Sequence, residues 1–415
     1  MEKSVKKVTL FVIFICFLSA LFYSYDLFIR VAPSVMTSGL ESSLGIGATS
    51  LGFLSAAYFY AYVIFQIPAG IVLDKYDCKW VISGAMFICM LGNLLFSIAP
   101  NYEVAILGRV LMGVGSAFGF IGAAKIAAMW LPQRFFSGFM GFTSFIGIMG
   151  GLVADTVLES FVQHLGWREG NNIFTYIGVG IFILMFLFIK DSADYKEARQ
   201  GKNKQTLMYQ LKLLMVILKK YQFWVAGFIG AVLFIPINVL ASLWGIGFIG
   251  TKLHISEIRA SELNALLFIG SAVGFIIVSF ISVYTNRFRL MLVVSGCLMT
   301  AISVALIYMP MPIWLFTILI FCLGVSVGPE LLVFEIGKFL SPKGATATSV
   351  SGINMLNNLL GAILLPLFGW ILVSFAISEH HLEIHAYHYA MAMLPIMTLI
   401  CIPLCMLLPK RISRR

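Results

Sequence analysis

Residues 191–220 read DSADYKEARQGKNKQTLMYQLKLLMVILKK and form the one long polar stretch of the 415-residue chain. Six apolar runs precede this stretch and six follow it. Hydrophobic residues make up 60% of the chain and charged residues 11%, whereas a soluble protein averages about 25% charged residues. This composition excludes a disordered chain and a disulfide scaffold, argues against a soluble enzyme and indicates a membrane protein.

Each apolar run is long enough to cross a bilayer, which takes about 20 residues. Each must be helical, because hydrocarbon offers no partner for free backbone groups. The predicted spans are 8–37, 48–73, 80–99, 103–129, 135–159, 171–190, 221–250, 261–284, 290–309, 312–336, 345–377 and 387–408. We therefore expect an all-α membrane protein with twelve transmembrane helices in two pseudo-symmetric six-helix bundles. The expected bundles are residues 1–190 and 220–415, joined by a cytoplasmic linker at 191–219.

The distribution of basic residues predicts the orientation. If the N-terminus is cytoplasmic, 22 of the 28 Lys and Arg residues fall on the inner side, and only Arg168, Lys252 and Arg259 fall in outer loops. Basic residues concentrate on the cytoplasmic side of membrane proteins. We expect both termini in the cytoplasm of a bacterial cell, the first span retained as part of a multi-pass inner-membrane protein, and a monomer. The net charge of +10 is explained by anionic lipid and requires no nucleic acid.

Two short motifs carry a family resemblance. The loop after span two, GIVLDKYDCK at 70–79, combines a glycine, Asp74 and the cations Lys75 and Lys79. Span four opens with GRVLMGVG at 108–115, and span five is rich in glycine at 138–151. These motifs resemble the signatures of the major facilitator superfamily, although Asp77 stands where that family usually has glycine. The resemblance implies two six-helix bundles with alternating access, and it implies a gating role for Asp74, Lys75 and Lys79.

A narrower likeness lies in span one. The stretch YSYDLFIRVAPSVM at 23–36 resembles the first span of a poorly assigned bacterial branch of facilitator transporters. That branch is distantly similar to lysosomal dipeptide carriers and to carriers of carboxylate siderophores.

Charged residues inside spans are costly and need a reason. Asp26 and Arg30 are four residues apart on one helix face and can pair, and Arg109 falls at the same depth in span four. One hypothesis is that Asp26 exchanges between a proton, Arg109 and substrate, while Arg30 or Arg109 binds a substrate carboxylate. The alternative is a permanent Asp–Arg pair that only fastens span one to span four.

A second charged group falls in the inner half of spans four and ten. The resemblance implies that these spans approach each other there, so an ion pair of Lys125 with Glu330 or Glu335 would hold the inner side closed. Alternatively, Glu330 is a proton acceptor in a desolvated site, or Lys125 and Glu335 reach the membrane surface and have no gating role.

Several uncharged side chains are candidate substrate ligands: Tyr25, Gln66, Trp244, Asn354, Asn357 and Asn358. Amides in spans either bind a polar substrate or hydrogen-bond to a neighbouring helix, and aromatic residues in spans commonly serve packing. Four histidines, His380, His381, His385 and His388, cluster in one outer loop. Their spacing fits no standard metal site, so we expect a polar loop, without metal or cofactor.

We therefore expect a secondary transporter rather than an enzyme, since the chain has neither a phosphate-binding loop nor a dinucleotide motif. The expected cargo is a small polar solute with a carboxylate: an organic acid, an amino acid or dipeptide, or a carboxylate siderophore. Proton coupling through Asp26 or Glu330 is expected. The alternative is efflux of drugs or metabolites by proton antiport, which the buried arginines disfavour.

Overall fold

The computed structural model describes residues 9–192, 215–285, 287–340, 346–376 and 384–408. Twelve helical spans in these ranges are long and apolar enough to cross a membrane. The prediction of an all-α protein with twelve spans is therefore confirmed. The 191–219 linker falls mostly outside the described residues, so the exact boundaries of the bundles remain a prediction.

The first bundle contains spans one to six. Their helical segments are Leu10–Val31 with the 3₁₀ turn Ala32–Val35, Ala48–Lys75, Cys78–Ser97, Tyr102–Ser116 continued by Gly119–Trp130, Gln133–Val153 continued by Ala154–Leu158 and Glu159–Leu165, and Trp167–Phe188. A short helix, Thr37–Leu44, lies between spans one and two. It ends at Gly45, whose φ of 64° is readily adopted only by glycine.

The second bundle contains spans seven to twelve. Their helical segments are Tyr221–Leu233 continued by Pro236–Trp244 and Gly245–Leu253, Glu257–Tyr284, Phe288–Tyr308, Ile313–Val325 continued by Gly328–Glu330 and Leu331–Leu340, Thr346–Phe375, and Ile384–Met391 continued by Met393–Leu404 and Cys405–Leu407.

Several spans are interrupted where the sequence predicts one continuous helix. Span five contains a π-helical turn at Ala154–Leu158, span seven has a longer one at Pro236–Trp244, and span ten narrows to a 3₁₀ turn at Gly328–Glu330. Non-helical or distorted backbone at membrane depth is tolerated where it is buried in protein or lines a cavity. These interruptions therefore mark the part of each span that faces the centre of the molecule.

The two bundles meet mainly through span two against span eleven and span five against span eight. A Cβ atom added at Gly52 would lie 2.7 Å from the carbonyl oxygen of Leu365, and one at Gly369 would lie 2.5 Å from that of Ala48. The absence of side chains at both glycines lets the backbones touch. We call the end of the molecule that contains Ala48, Gly52, Leu365 and Gly369 the closed end.

The opposite end lacks comparable contacts between the bundles in the part of the chain that is described. There, the second half of span four packs within the first bundle, and the second half of span ten packs on spans seven and eleven. Glu335 is exposed and Lys125 is half-buried. The ion pair predicted between spans four and ten belongs to a state closed at this end, so it remains a prediction.

Candidate functional site

Arg30 lies at the interface of the two bundles. Its side chain is only 3% exposed, and its Nη2 lies 3.6 Å from Oδ1 of Asp26, one helical turn earlier in span one. Its Nη1 donates a 3.1 Å hydrogen bond to Oδ1 of Asn358 in span eleven. The buried guanidinium therefore joins an acid of its own bundle to an amide of the other.

Aromatic rings from span two surround this guanidinium. The centre of the Arg30 guanidinium lies 5.5, 5.3 and 5.0 Å from the ring centroids of Tyr58, Phe59 and Tyr62. The Tyr58 hydroxyl donates to Oδ1 of Asp26, and Nη2 of Arg30 lies 3.5 Å from the Tyr58 oxygen. Ring faces attract cations, so span two stabilises the charge of Arg30 without neutralising it.

One donor of this arginine is unused. Nε of Arg30 is buried and has no hydrogen-bond partner among the described residues, and Oδ2 of Asp26 is in the same condition. A guanidinium offers pairs of parallel N–H groups that match the two oxygens of a carboxylate. An unpaired buried donor costs free energy unless a ligand satisfies it. The edge of Arg30 that carries Nε is therefore suited to an incoming anion.

Arg109 is placed differently. It is fully buried, and Nη1 donates a 2.6 Å hydrogen bond to the carbonyl of Ile29 while Nη2 lies 3.5 Å from the carbonyl of Ser55. Its guanidinium centre lies 5.0 Å from the Tyr58 ring centroid. In this state Asp26 pairs with Arg30 and not with Arg109. Arg109 ties spans one, two and four together, and the predicted exchange with Asp26 remains a prediction.

Glu330 lies in the second bundle, in the 3₁₀ turn of span ten, and is 4% exposed. Oε1 of Glu330 accepts a 2.5 Å hydrogen bond from Nδ2 of Asn357. Asn357 directly precedes Asn358, the partner of Arg30. Two consecutive amides of span eleven therefore contact an acid of one bundle and a cation of the other, which makes this helix the link between the two charged groups.

The other amides and aromatic candidates have mixed surroundings. Asn354 donates a 3.2 Å hydrogen bond from Nδ2 to the hydroxyl of Tyr62, and both amide atoms of buried Gln66 lack a partner among the described residues. Trp244 donates to the carbonyl of Leu365 at 3.2 Å and stacks on a phenylalanine of span eleven. The sequence candidates in spans two and eleven thus lie near Arg30 through Tyr62 and Asn358, whereas Trp244 packs within its own bundle.

The remaining candidates lie away from Arg30 or outside the description. Tyr25 stacks with Phe28, and its hydroxyl has no partner among the described residues. Nζ of Lys79 lies 4.6 Å from the ring centroid of Phe186. The side chains of Asp74 and Lys75 lie outside the described residues, as do His380 and His381. The rings of His385 and His388 contact Tyr389 and Tyr308.

A second polar group at the closed end was missed by sequence reasoning. Asp155, fully buried in span five, accepts hydrogen bonds from Nδ2 of Asn264 at 2.6 Å and from the Ser34 hydroxyl at 3.1 Å. Asn264 belongs to span eight, so this contact joins the bundles. The signal was present, because Asp155 falls inside predicted span five. It was missed because the analysis of that span considered its glycines and not its acids.

Glu159 continues this group one turn further. It is 2% exposed, and Oε1 accepts a 2.8 Å hydrogen bond from Gln163. Gln163 also lies 3.5 Å from Glu257 of span eight, which in turn accepts from Ser38 at 3.4 Å. Neutral donors therefore hold three acidic residues together along the interface of spans five and eight.

Comparison with known proteins agrees with this arrangement. The "Probable sulfoacetate transporter SauU" of Cupriavidus necator is 26% identical over 183 residues, covering 44% of this chain and 42% of that protein. The "Probable L-galactonate transporter" of Escherichia coli is 29% identical over 155 residues, covering 37% and 34%. This chain thus spans less than half the length of these curated relatives.

Among solved structures, the inward-facing, occupied form of a bacterial homologue of the human lysosomal transporter Spinster superposes with a TM-score of 0.76 at 15% identity, covering 99% of this chain and 100% of that one. At this identity the likeness shows the fold alone. It fits the predicted similarity to lysosomal carriers.

The sequence profile described as "Major Facilitator Superfamily" matches residues 12–366, which is most of the chain. Its relatives are transporters and not enzymes, as the sequence predicts. With twelve spans and charged groups buried between two bundles, this multi-pass membrane protein belongs to the Major Facilitator Superfamily of transporters.

Proposed function

We propose that this transporter moves a small organic anion, carrying a carboxylate, across the bacterial inner membrane by alternating access, together with a proton. The observation that carries the proposal is the position of Arg30. Its buried guanidinium contacts both bundles and keeps one donor, Nε, without a partner among the described residues. An anion bound there would touch both moving halves of the protein.

The relatives support an anionic cargo. Sulfoacetate and L-galactonate, the solutes in the names of two partial matches, both carry carboxylates. Charged solutes need a compensating charge in a site removed from water, and Arg30 supplies it. Cationic drugs would meet this arginine unfavourably, which argues against the efflux alternative.

Charge balance supports proton coupling. Arg30 and Asp26 form a neutral pair, so an incoming monoanion leaves one net negative charge in a poorly solvated site, where an uncompensated charge is costly. Protonation of Asp26 restores neutrality and releases Arg30 to the substrate. The Tyr58 hydroxyl already contacts Asp26 and can remain its hydrogen-bond partner in either state. Glu330 is a second acid in the same interface.

The basic residues support a cytoplasmic N-terminus. In that orientation the closed end, with Ala48 and Gly369, faces the periplasm, and the end with Lys125 and Glu335 faces the cytoplasm. The structure then represents an inward-facing state. Gating by Asp74, Lys75 and Lys79, and by Lys125 with Glu335, would operate when the cytoplasmic side closes.

Uptake into proteoliposomes tests the proposal. Purified protein is supplied with labelled hydroxy acids, amino acids, dipeptides, siderophores and a cationic dye, with and without an inward proton gradient. We expect accumulation of an organic acid that requires the gradient and falls more than tenfold in Arg30→Gln. The matched control is Arg259→Gln, which removes an exposed arginine and should transport normally. Transport of the dye alone would favour efflux and contradict the proposal.

A further inference from the structure

Resting on the proposed function, we propose that Glu330 sets the charge of the cargo. It admits a solute with one anionic group, bound at Arg30, whose far end carries hydrogen-bond donors such as hydroxyl or amino groups. It disfavours a solute with a second anionic group at that far end. Of the relatives' solutes, L-galactonate has one anionic group and sulfoacetate has two, so the residues of this chain must decide between the classes.

The two ends of the site are defined by span eleven. Asn358 accepts from Nη1 of Arg30 at 3.1 Å, and Asn357 donates to Oε1 of Glu330 at 2.5 Å. Consecutive Cα atoms lie about 3.8 Å apart and consecutive helical side chains point in directions about 100° apart. The cationic and anionic ends of the site are therefore neighbours, at a separation that a solute of a few carbon atoms can bridge.

The available cations favour a single anionic group. Among the described residues, the arginines nearest the site are Arg30 and Arg109, and Arg109 already donates to the carbonyls of Ile29 and Ser55. Only Arg30 keeps a buried donor at the interface of the two bundles, its Nε. A first carboxylate occupies that donor and leaves a second carboxylate without a matching cation.

The far end of the site carries a negative group instead. Glu330 forms no ion pair among the described residues, and Asn357 is its one hydrogen-bond donor there. Its carboxylate can accept hydrogen bonds from hydroxyl or ammonium groups of a solute. A second carboxylate at the same place would be repelled, because like charges in a poorly solvated site disfavour each other strongly.

L-Galactonate and galactarate test the inference, because they share a carbon skeleton and differ at one end, where a hydroxymethyl group is replaced by a carboxylate. Exchange across proteoliposomes loaded with the unlabelled acid is measured, since exchange needs no net proton movement. We expect the unaltered protein to exchange galactonate at least tenfold faster than galactarate. Glu330→Gln, which keeps the shape and removes the charge, should reduce that ratio at least fivefold, and Glu330→Asp should preserve it.

Glu262→Gln is the matched control, because Glu262 is an exposed acid of the second bundle, and its ratio should equal that of the unaltered protein. If Glu330→Gln does not exchange either acid, protection of the purified variant against thermal unfolding by each acid supplies the same ratio. Equal exchange of both acids by the unaltered protein, or an unchanged ratio in Glu330→Gln, overturns the inference and leaves the proposed function intact. Failure of every organic acid to exchange or bind overturns the proposed function itself.

Discussion

At the scale of single residues, the chemistry depends on how Arg30 is held. Two of its nitrogens contact Asp26, Tyr58 and Asn358, and its third has no partner among the described residues. The faces of the surrounding aromatic rings contribute attraction without occupying a donor. Arg30 is thus positioned firmly and remains able to bind an anion.

Tyr58→Phe tests the contribution of the hydroxyl group. The change keeps the ring beside Arg30 but removes the hydrogen bond to Asp26. Hydrogen bonds to charged groups contribute about 1.5–3 kcal/mol, so we expect uptake to fall roughly tenfold or more while the protein still folds. Tyr102→Phe is the control, because that hydroxyl bonds to the Ser50 carbonyl at 3.0 Å, away from Arg30. Equal uptake by the two variants would show that the Tyr58 hydroxyl has no part in transport.

Asp26→Asn tests the coupling. The variant cannot take up a proton at this position, and its Arg30 keeps a permanent positive charge for the substrate. We expect exchange of the organic acid to persist while accumulation driven by a proton gradient is lost. Uptake is measured with and without the gradient at the same internal pH. Undiminished proton-driven accumulation would remove Asp26 from the coupling mechanism.

At the scale of helices, Arg109 fastens three spans of the first bundle. It donates to backbone carbonyls of spans one and two, and no water is available in hydrocarbon to replace it. We expect Arg109→Gln to destabilise the protein by about 3 kcal/mol, because it leaves buried carbonyls without donors. Thermal unfolding in detergent measures the loss. A variant of unchanged stability that fails to bind substrate would instead assign Arg109 to the substrate site.

The helices also show how far the sequence could predict the structure. Apolar length alone predicts all twelve spans, since the bilayer imposes it. The interruptions in spans five, seven and ten depend on contacts with the other bundle, which no local pattern records. A partial signal exists in Gly328-Pro329, because proline cannot donate to the preceding turn. The pairing of Asp26 with Arg30 was predictable from their spacing, whereas their link to Asn358 joins residues 328 positions apart.

At the scale of the whole molecule, the two bundles are held together at the closed end by packing and by hydrogen bonds. Gly52 and Gly369 allow backbone contact between spans two and eleven, and Asp155 bonds to Asn264 between spans five and eight. Alternating access requires these contacts to break. Because the hydrogen bond can be removed with less disturbance than the backbone contact, Asn264 is the residue through which the balance of states can be tested.

Asn264→Leu should shift the protein towards a state open at the closed end. The change removes the 2.6 Å hydrogen bond to buried Asp155, and losing a bond to a charged group weakens the closed state by about 1.5–3 kcal/mol, a roughly tenfold or larger shift between states. Ala48→Cys, in a variant lacking the seven native cysteines, reports opening because Ala48 is fully buried beneath Gly369. We expect a membrane-impermeant thiol reagent, added outside cells, to label this cysteine at least several-fold faster in Asn264→Leu.

Ser261→Ala is the control for this measurement, because Ser261 lies one turn earlier in span eight and its hydroxyl bonds only to its own helix, at the Ile258 carbonyl. Its labelling rate should match that of the parent. The side from which the reagent acts also tests the orientation, since basic residues place Ala48 on the periplasmic side. Labelling that requires permeabilised cells would reverse the topology. Labelling at the same rate in both variants would mean that packing at Gly52 and Gly369, rather than the Asp155–Asn264 hydrogen bond, keeps this end closed.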